Sequence, residues 1–237
     1  MLSPQGRVVM VSGASRGIGR AIAERLLAAG YSISAGVRNP AKLPLADVSG
    51  GERVLACRYD AKDRTAAPAW VAATVKRFGR IDGLVNAAGI NPMARVIDED
   101  EGPLDDMWEV NVKGPLRVVR AALPHLAASG TGRVINLASL SGKRVKNDNI
   151  GYAMSKFALV ALTHSIRRLG WDKGVRATAL CPSFVRTEMS AGMVDKVAAD
   201  AMTQPEDLAA LVETVMALPN NAVVAELLVN CRLEEML

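Results

Sequence analysis

With 237 residues, half of them hydrophobic but only 4% aromatic, and a net charge of +5, the chain holds ample material for a core built mainly from Ala, Val, Leu, Ile and Met. No low-complexity linker, charge block or repeat divides it, which predicts a single domain over 1–237. Its Lys and Arg are scattered rather than gathered on a basic helix, its three cysteines (Cys57, Cys181, Cys231) are far apart, and its two histidines (His125, His164) are isolated. These features argue against nucleic-acid binding, a disulfide framework and a metal site. An N-terminus without a basic-then-apolar leader pattern, and no apolar run near ~18 residues, predict a soluble, cytoplasmic protein with no membrane partner.

Residues 8–11 read as a buried strand and 18–29 as a helix closed by Gly30. Further strands are predicted over 32–37, 54–57, 83–86, 133–137, 175–180 and 223–229. Helices are predicted over 66–78, about 104–127, about 151–169 and from Pro205 onward. Pro205-Glu206-Asp207 puts two carboxylates in a first turn, where the helix dipole favours them. Strand–helix alternation with short apolar strands implies an α/β chain with about seven parallel strands and helices on both faces, the doubly wound class. Such sheets bind ligands outside the carboxyl ends of their strands, where the chemistry-bearing residues of this chain fall.

The run Gly13-Ala14-Ser15-Arg16-Gly17-Ile18-Gly19 links the first strand to the first helix. Gly13 permits a tight turn, while Gly17 and Gly19 let backbone approach a pyrophosphate and the sheet closely. The spacing is GxxxGxG, and its strand–turn–helix setting predicts a dinucleotide site. A site for NAD usually ends the second strand with Asp or Glu, which holds the ribose 2′-hydroxyl. Residues 32–39 contain no carboxylate, Arg38 stands where the acid is expected, and Arg16 adds a second cation beside the glycines. A 2′-phosphate would satisfy both guanidiniums, so the expected cofactor is NADP(H).

Tyr152 and Lys156 are four apart on a predicted helix and share a face. A tyrosine is a poor base near neutral pH, but a nearby ammonium and an oxidised nicotinamide would both favour its phenolate and lower its pKa. Tyr152 would then donate a proton in reduction and accept one in oxidation. Ser139, just past the fifth strand, can hydrogen-bond a substrate oxygen. The two motifs, in this order, predict an oxidoreductase acting on a small-molecule carbonyl or alcohol.

On these motifs the chain resembles the short-chain dehydrogenase/reductase family over essentially its whole length. The resemblance implies a Rossmann fold and NADP(H)-dependent interconversion of a carbonyl and an alcohol. Gly13, Gly17 and Gly19 match the family's cofactor glycines, with Ser15, Arg16 and Ile18 in the same turn. Asp60 matches an acid that bonds the adenine, and Asn86-Ala87-Ala88-Gly89 resembles the family's Asn-Asn-Ala-Gly with one Asn replaced. Asn111, in Trp108-Glu109-Val110-Asn111-Val112, resembles the helix asparagine that completes a tetrad with Ser139, Tyr152 and Lys156. The resemblance further implies that Lys156 bonds the nicotinamide ribose and that Asn111 holds a water in a proton relay to Lys156. Pro182-Ser183-Phe184-Val185-Arg186-Thr187 resembles the segment whose valine or isoleucine and threonine hold the carboxamide.

Two departures stand out: Ser183 where the family has Gly, and Cys231-Arg232 where it has Gly-Gly. The helices around Leu116-Val118-Val119-Leu123 and over 157–162 are apolar on more than one side. In the family such helices pair across a dimer axis, implying a homodimer or homotetramer. The alternative to an enzyme is an NADP(H)-binding regulator on the same fold, against which the intact tetrad argues.

Between Ser139 and Tyr152 lie Lys143, Arg144, Lys146, Asn147, Asp148 and Asn149. This segment reads either as a solvated loop or as a wall from which a cation selects a carboxylate or phosphate substrate. Residues 188–204, with Met189, Met193 and Met202, read as a mobile substrate lid.

Overall fold

A computed structural model of the protein describes residues 1–45, 51–193 and 197–233. Its strands are β1 (Val8–Ser12), β2 (Ser32–Val37), β3 (Val54–Arg58), β4 (Gly83–Asn86), β5 (Arg133–Leu137), β6 (Arg176–Pro182) and β7 (Glu226–Val229). They form one all-parallel sheet in the order β3-β2-β1-β4-β5-β6-β7. The strand order reverses between β1 and β4, and a crevice opens there at the carboxyl ends. The described helices are α1 (Gly17–Ala29), α2 (Ala66–Phe78), α3 (Gly102–Met107), α4 (Gly114–Ala128), α5 (Ile150–Gly170) and α6 (Pro205–Ala217).

Strand alternation builds the two cores. In β1, Val9 and Val11 join the core under α1 and α6, with Ile22, Leu26, Leu208 and Val212. Met10 joins the opposite core, with Trp70 of α2, Val118 and Leu126 of α4 and Ile166 of α5. Gly36 of β2 makes room for Trp70, because a Cβ there would lie 2.7 Å from the indole ring. The indole N–H donates to Ser34 Oγ at 2.9 Å. Gly30 closes α1 in the left-handed region, with φ of 109°. Glu206 and Asp207 stand in the first turn of α6, and Asp207 accepts the Gln204 N–H at 3.0 Å.

The helix expected over 104–127 extends from Gly102 to Ala128 but is interrupted by a π turn over Trp108–Lys113. Pro115 has no N–H to give to the carbonyl of Asn111, four residues back, which removes one bond of the helical ladder at this point. The N–H of Gly114 instead reaches the carbonyl of Glu109, five residues back. Gly114 also lets the helix approach the segment after β3, since a Cβ there would lie 2.9 Å from Ala61. The last strand starts at Glu226 rather than 223; just before it, the Val224 carbonyl accepts the Thr178 hydroxyl at 2.6 Å.

At the amino ends of the strands, Asp82 is fully buried and accepts the Val8 N–H at 2.9 Å and two Arg80 N–H bonds at 2.8 and 2.7 Å. Buried Arg133 donates to the Leu218 carbonyl at 2.6 Å and to Asn220 Oδ1 at 3.0 Å. No helix among the described residues is long and apolar enough to cross a membrane.

Candidate active site

The glycine turn sits where β1 meets α1. Ser12 ends β1 and accepts the N–H groups of Ala87 and Ala88, both at 3.1 Å, tying this turn to the loop after β4. Gly13 has φ of +70°, and a Cβ there would lie 2.9 Å from the Ala88 backbone. Gly17 has φ of +54° and faces the Thr187 side chain, which a Cβ would meet at 3.4 Å. A Cβ on Gly19 would lie 2.4 Å from the Gly13 carbonyl, so helix and turn touch backbone to backbone. Ile18 faces the cleft beside these glycines, and Ser15 and Arg16 are exposed.

Arg16 differs from the expectation of a guanidinium waiting for phosphate: it is ion-paired with Glu188. Arg38 follows β2 and is exposed. Asp60 follows β3, and its Oδ1 accepts the Lys62 N–H at 3.0 Å. Asn86 is buried at the end of β4, with Nδ2 donating to Asn136 Oδ1 at 2.8 Å. Its own Oδ1 is buried with no partner. A buried acceptor without a donor is a group that a ligand can satisfy.

Ser139, Tyr152 and Lys156 line one cleft. Asn149 caps α5, its Oδ1 accepting from Tyr152 N–H at 3.4 Å and Ala94 N–H at 3.1 Å, which fixes the helix start against the loop after β4. One turn on, the Lys156 Nζ donates to the Leu137 carbonyl at 2.6 Å and lies 5.4 Å from the centre of the Tyr152 ring. The Ser139 hydroxyl accepts the Ser141 N–H at 3.1 Å and faces the same cleft as Tyr152. Burial pushes the Tyr152 phenol up to about 12, against a smaller downward pull from Ser139. Burial pulls the Lys156 ammonium down to about 8. Both shifts come from the water that the fold removes around the pair.

Asn111 lies in the π turn, 1% exposed, and does not line the cleft. Its Oδ1 accepts the Ile90 N–H at 2.9 Å, and its Nδ2 donates to the Ile90 carbonyl at 2.9 Å and to Ser155 Oγ at 3.1 Å. Both amide hydrogens are thus committed to tying the helix to α5 and to the loop after β4. A Cβ on Gly89 would lie 3.3 Å from Asn111 Oδ1 and 3.9 Å from Lys156 Nζ, which brings this glycine between them.

Pro182, Val185 and Thr187 complete the rim after β6. Ser183 keeps the β6–β7 ladder through its N–H to the Val229 carbonyl at 2.8 Å, and no residue other than Gly has positive φ among the described residues. The replacement of Gly by Ser therefore fits the backbone as it stands. Of the predicted lid over 188–204, residues 194–196 and the side chain of Met193 lie outside the described residues. Met189 is half exposed on the cleft, whereas Met202 is buried, and Val185 pairs with Thr203 as an isolated bridge.

The cleft has a volume of about 690 Å³. It gathers Ile18, Ala87, Gly89, the Ser139–Tyr152–Lys156 group and the segment after β6. Of the glycine turn only Ile18 lines it: Gly13, Ser15, Arg16, Gly17 and Gly19 lie outside the lining, as do Ala88 and, at the ends of β2, β3 and β4, Arg38, Asp60 and Asn86. The residues fit a dinucleotide: Gly13 and Gly17 take positive φ in the turn between β1 and α1, Asn86 Oδ1 is a buried acceptor without a partner at the end of β4, and Arg38 is exposed after β2, while Arg16 is held by Glu188. Sequence reasoning missed Ser12, Ser155, Glu188 and Arg232. Ser12 adjoins the glycine run, but the other three reach the site only through tertiary contacts.

A family model described as short chain dehydrogenase matches residues 7–198. An agropine synthesis reductase of Rhizobium rhizogenes is 45% identical over 231 residues, covering 97% of this chain and 54% of that protein. An uncharacterised oxidoreductase of Staphylococcus epidermidis is 34% identical over 192 residues, covering 81% of this chain and 84% of that protein. Oxidoreductase UcpA of Salmonella typhimurium is 33% identical over 217 residues, covering 90% and 81%. The chain spans about half the length of the agropine synthesis reductases it matches.

Proposed function

The chain belongs to the short-chain dehydrogenase family, and on that premise we propose that it is an NADP(H)-dependent oxidoreductase interconverting a small-molecule carbonyl and an alcohol. The observation that carries this reading is the convergence of Ser139, Tyr152 and Lys156 on a cleft that also reaches the glycine turn at Ile18. NADP(H), when bound, supplies or accepts the hydride. Ser139 holds the substrate oxygen, and Tyr152 transfers the proton to or from it. Tyr152 is protonated at neutral pH, the form that donates in reduction, and the enzyme works in both directions, a supply of NADPH favouring reduction. The word reductase in the name of the Rhizobium rhizogenes relative favours the same direction.

Lys156, fixed by the Leu137 carbonyl, presents its ammonium beside Tyr152 and bonds the nicotinamide ribose. Asn111 holds the π turn in place and, in this reading, supports a water leading to Lys156. Gly13, Ser15, Gly17, Ile18 and Gly19 cradle the pyrophosphate. Asp60 takes the adenine, with Asn86, Ala87, Ala88 and Gly89 along the floor and Pro182, Val185 and Thr187 at the carboxamide. Arg16 and Arg38 take the 2′-phosphate, Arg16 after exchanging its Glu188 partner.

The reading includes one domain over 1–237 and a homodimer or homotetramer formed through α4 and α5, where Met154 and Phe157 of α5 expose 45% and 43% of their surface. It also includes a cytoplasmic location, with Cys57, Cys181 and Cys231 unpaired as in a reducing compartment. Following NADPH and NADH oxidation over a panel of carbonyls tests the reading. Turnover that prefers NADPH is expected; no turnover together with equal binding of the two cofactors would overturn it.

A further inference from the structure

Ser139 belongs to neither a strand nor a long helix. It stands between β5 and a single tight turn over Leu140–Gly142, so its place in the cleft depends on what holds that turn. The Gly142 N–H donates to the Ser139 carbonyl and the Lys143 N–H to the Leu140 carbonyl, both at 2.9 Å, which closes the turn on itself. Leu140 is buried in one cluster with Leu159 and Val160 of α5 and Ala179 and Cys181 of β6. Gly142 lies against α5 at Lys156, since a Cβ there would be 2.7 Å from the Lys156 carbonyl oxygen. The turn that carries Ser139 is therefore packed on the backbone that carries Lys156.

The outer side of the turn is fastened by charge. Lys143, the next residue, does not line the cleft; its Nζ lies 2.7 Å from Glu226 Oε2 on β7. Glu226 is in register with Ala179, a member of the Leu140 cluster. His164 stands on α5 about two turns beyond Lys156, and its Nε2 lies 2.6 Å from the other oxygen of the same carboxylate. Arg167 NH1 lies 3.3 Å from His164 Nδ1. A guanidinium only donates, so Nδ1 accepts and Nε2 carries the hydrogen given to Glu226. One carboxylate thus takes a donor from the Ser139 turn on one oxygen and a donor from α5 on the other. Hydrogen bonds from Lys143 and, more weakly, His164 hold its pKa below the usual carboxylate range.

We propose that Glu226 and Lys143 are positioning residues for the reaction: their ion pair, braced by His164, sets the place of the Ser139 hydroxyl relative to Tyr152. This rests on the oxidoreductase reading above and adds to it two residues outside the cleft lining. Ser139 and Tyr152 must reach one substrate oxygen together, and a misplacement of about 1 Å can cost ~10²-fold in rate. A carboxylate accepts on both oxygens, whereas an amide accepts on one only, so Glu226→Gln keeps the size of the side chain and loses one of the two donors. Ion pairs with this much contact with water add little to stability, so position and stability can be measured apart.

The test uses Glu226→Gln, Lys143→Met and Lys143→Arg, with two readouts. In carbonyl reduction at saturating NADPH, Glu226→Gln and Lys143→Met should each lower kcat by ~10-fold or more, with KM for NADPH within ~2-fold of wild type. Lys143→Arg, which keeps the ion pair, should recover kcat to within ~3-fold, and the double variant should lose no more than either single one. The second readout needs no turnover: the Gly142 and Lys143 amides should exchange with solvent ~10-fold faster in Glu226→Gln and Lys143→Met, with β5 unchanged. Arg25→Gln, which breaks an ion pair with Glu213 on the other face of the sheet, is the control. Wild-type kcat in Glu226→Gln, no recovery in Lys143→Arg, or an equal loss in Arg25→Gln overturns the positioning role and leaves the oxidoreductase reading standing. Unchanged exchange in the turn overturns it as well. Faster exchange in a protein that turns over no carbonyl supports the fastening of the Ser139 turn and counts against the oxidoreductase reading.

Discussion

At the amino ends of β1 and β4 the Asp82 carboxylate is fully buried, yet it takes the Val8 N–H and a two-pronged Arg80 bond. At the carboxyl end of the same β4, Asn86 Oδ1 is equally buried and has no partner. Arg133, at the amino end of β5, donates to a carbonyl and an asparagine, and Lys156, against the carboxyl end of β5, donates to the Leu137 carbonyl; burial lowers the pKa of both, to about 10 and about 8. Asp82 and Arg133 tie the amino ends of the strands together, although Arg7 Nε and the Tyr31 hydroxyl are buried there without hydrogen-bond partners among the described residues. At the carboxyl end the buried orphan is Asn86 Oδ1, in register with Ser12 just before the glycine turn, where the candidate site lies.

The largest effect expected from this division is at Lys156. Lys156→Met should lower carbonyl reduction by ~10³-fold or more while leaving the melting temperature unchanged or raised. Burial lowers the folded-state pKa of Lys156 from 10.5 to about 8, so the charged form penalises the folded state fully below about pH 8. The penalty fades as pH rises towards 10.5, where the unfolded chain loses the same proton. Urea unfolding of the two proteins should therefore differ most below about pH 8 and converge near the upper value. A variant that is less stable at low pH and no better above it would break the comparison.

Asp82→Ala probes the opposite end. It should cost about 3 kcal/mol of unfolding free energy, because a buried N–H loses its acceptor and Arg80 its partner. Its KM for cofactor should stay within ~2-fold of wild type, so a shift in KM larger than the stability loss would erase the division between the two ends. Next in size, Arg16→Ala and Arg38→Ala should each reduce the preference for NADPH over NADH by ~10-fold. Glu188→Gln should raise NADPH affinity a few-fold, by removing the carboxylate that competes for Arg16. Equal losses for both cofactors would remove the 2′-phosphate from the account.

The smallest effect lies at Glu109. Hydrogen bonds from Lys113 and then Arg117 lower its pKa from 4.5 to about 2. Its contribution is present above 4.5 and is lost as pH falls towards 2. Glu109→Gln should flatten that acid limb of the stability curve; an unchanged limb would show that the pair contributes nothing.

Most of the scaffold was legible because each strand is a short apolar run bounded by a turn or by polar residues. The strands at 32–37, 83–86 and 133–137 and the helix at 66–78 have the predicted ends. The π turn was missed although its cause is local: a proline four residues after Asn111 removes the N–H that the helix needs. The glycine turn between β1 and α1 was readable from spacing, as was the placing of Tyr152 beside Lys156 on one face of α5. Arg16 with Glu188 and Lys143 with Glu226 were not, since those partners lie 172 and 83 residues apart and meet only through the sheet order. The burial that raises the Tyr152 phenol was not legible either, since residue spacing reports a neighbouring charge but not how much water the fold removes.

The central claim is that the carboxyl end of the sheet binds NADP(H) and uses Tyr152 to move a proton. Its most direct test pairs NADPH binding by fluorescence with NADPH-dependent carbonyl reduction in wild type and Tyr152→Phe. The account predicts binding within ~2-fold of wild type and turnover lower by ~10³-fold or more in the variant. Turnover that survives the loss of the Tyr152 hydroxyl would contradict it.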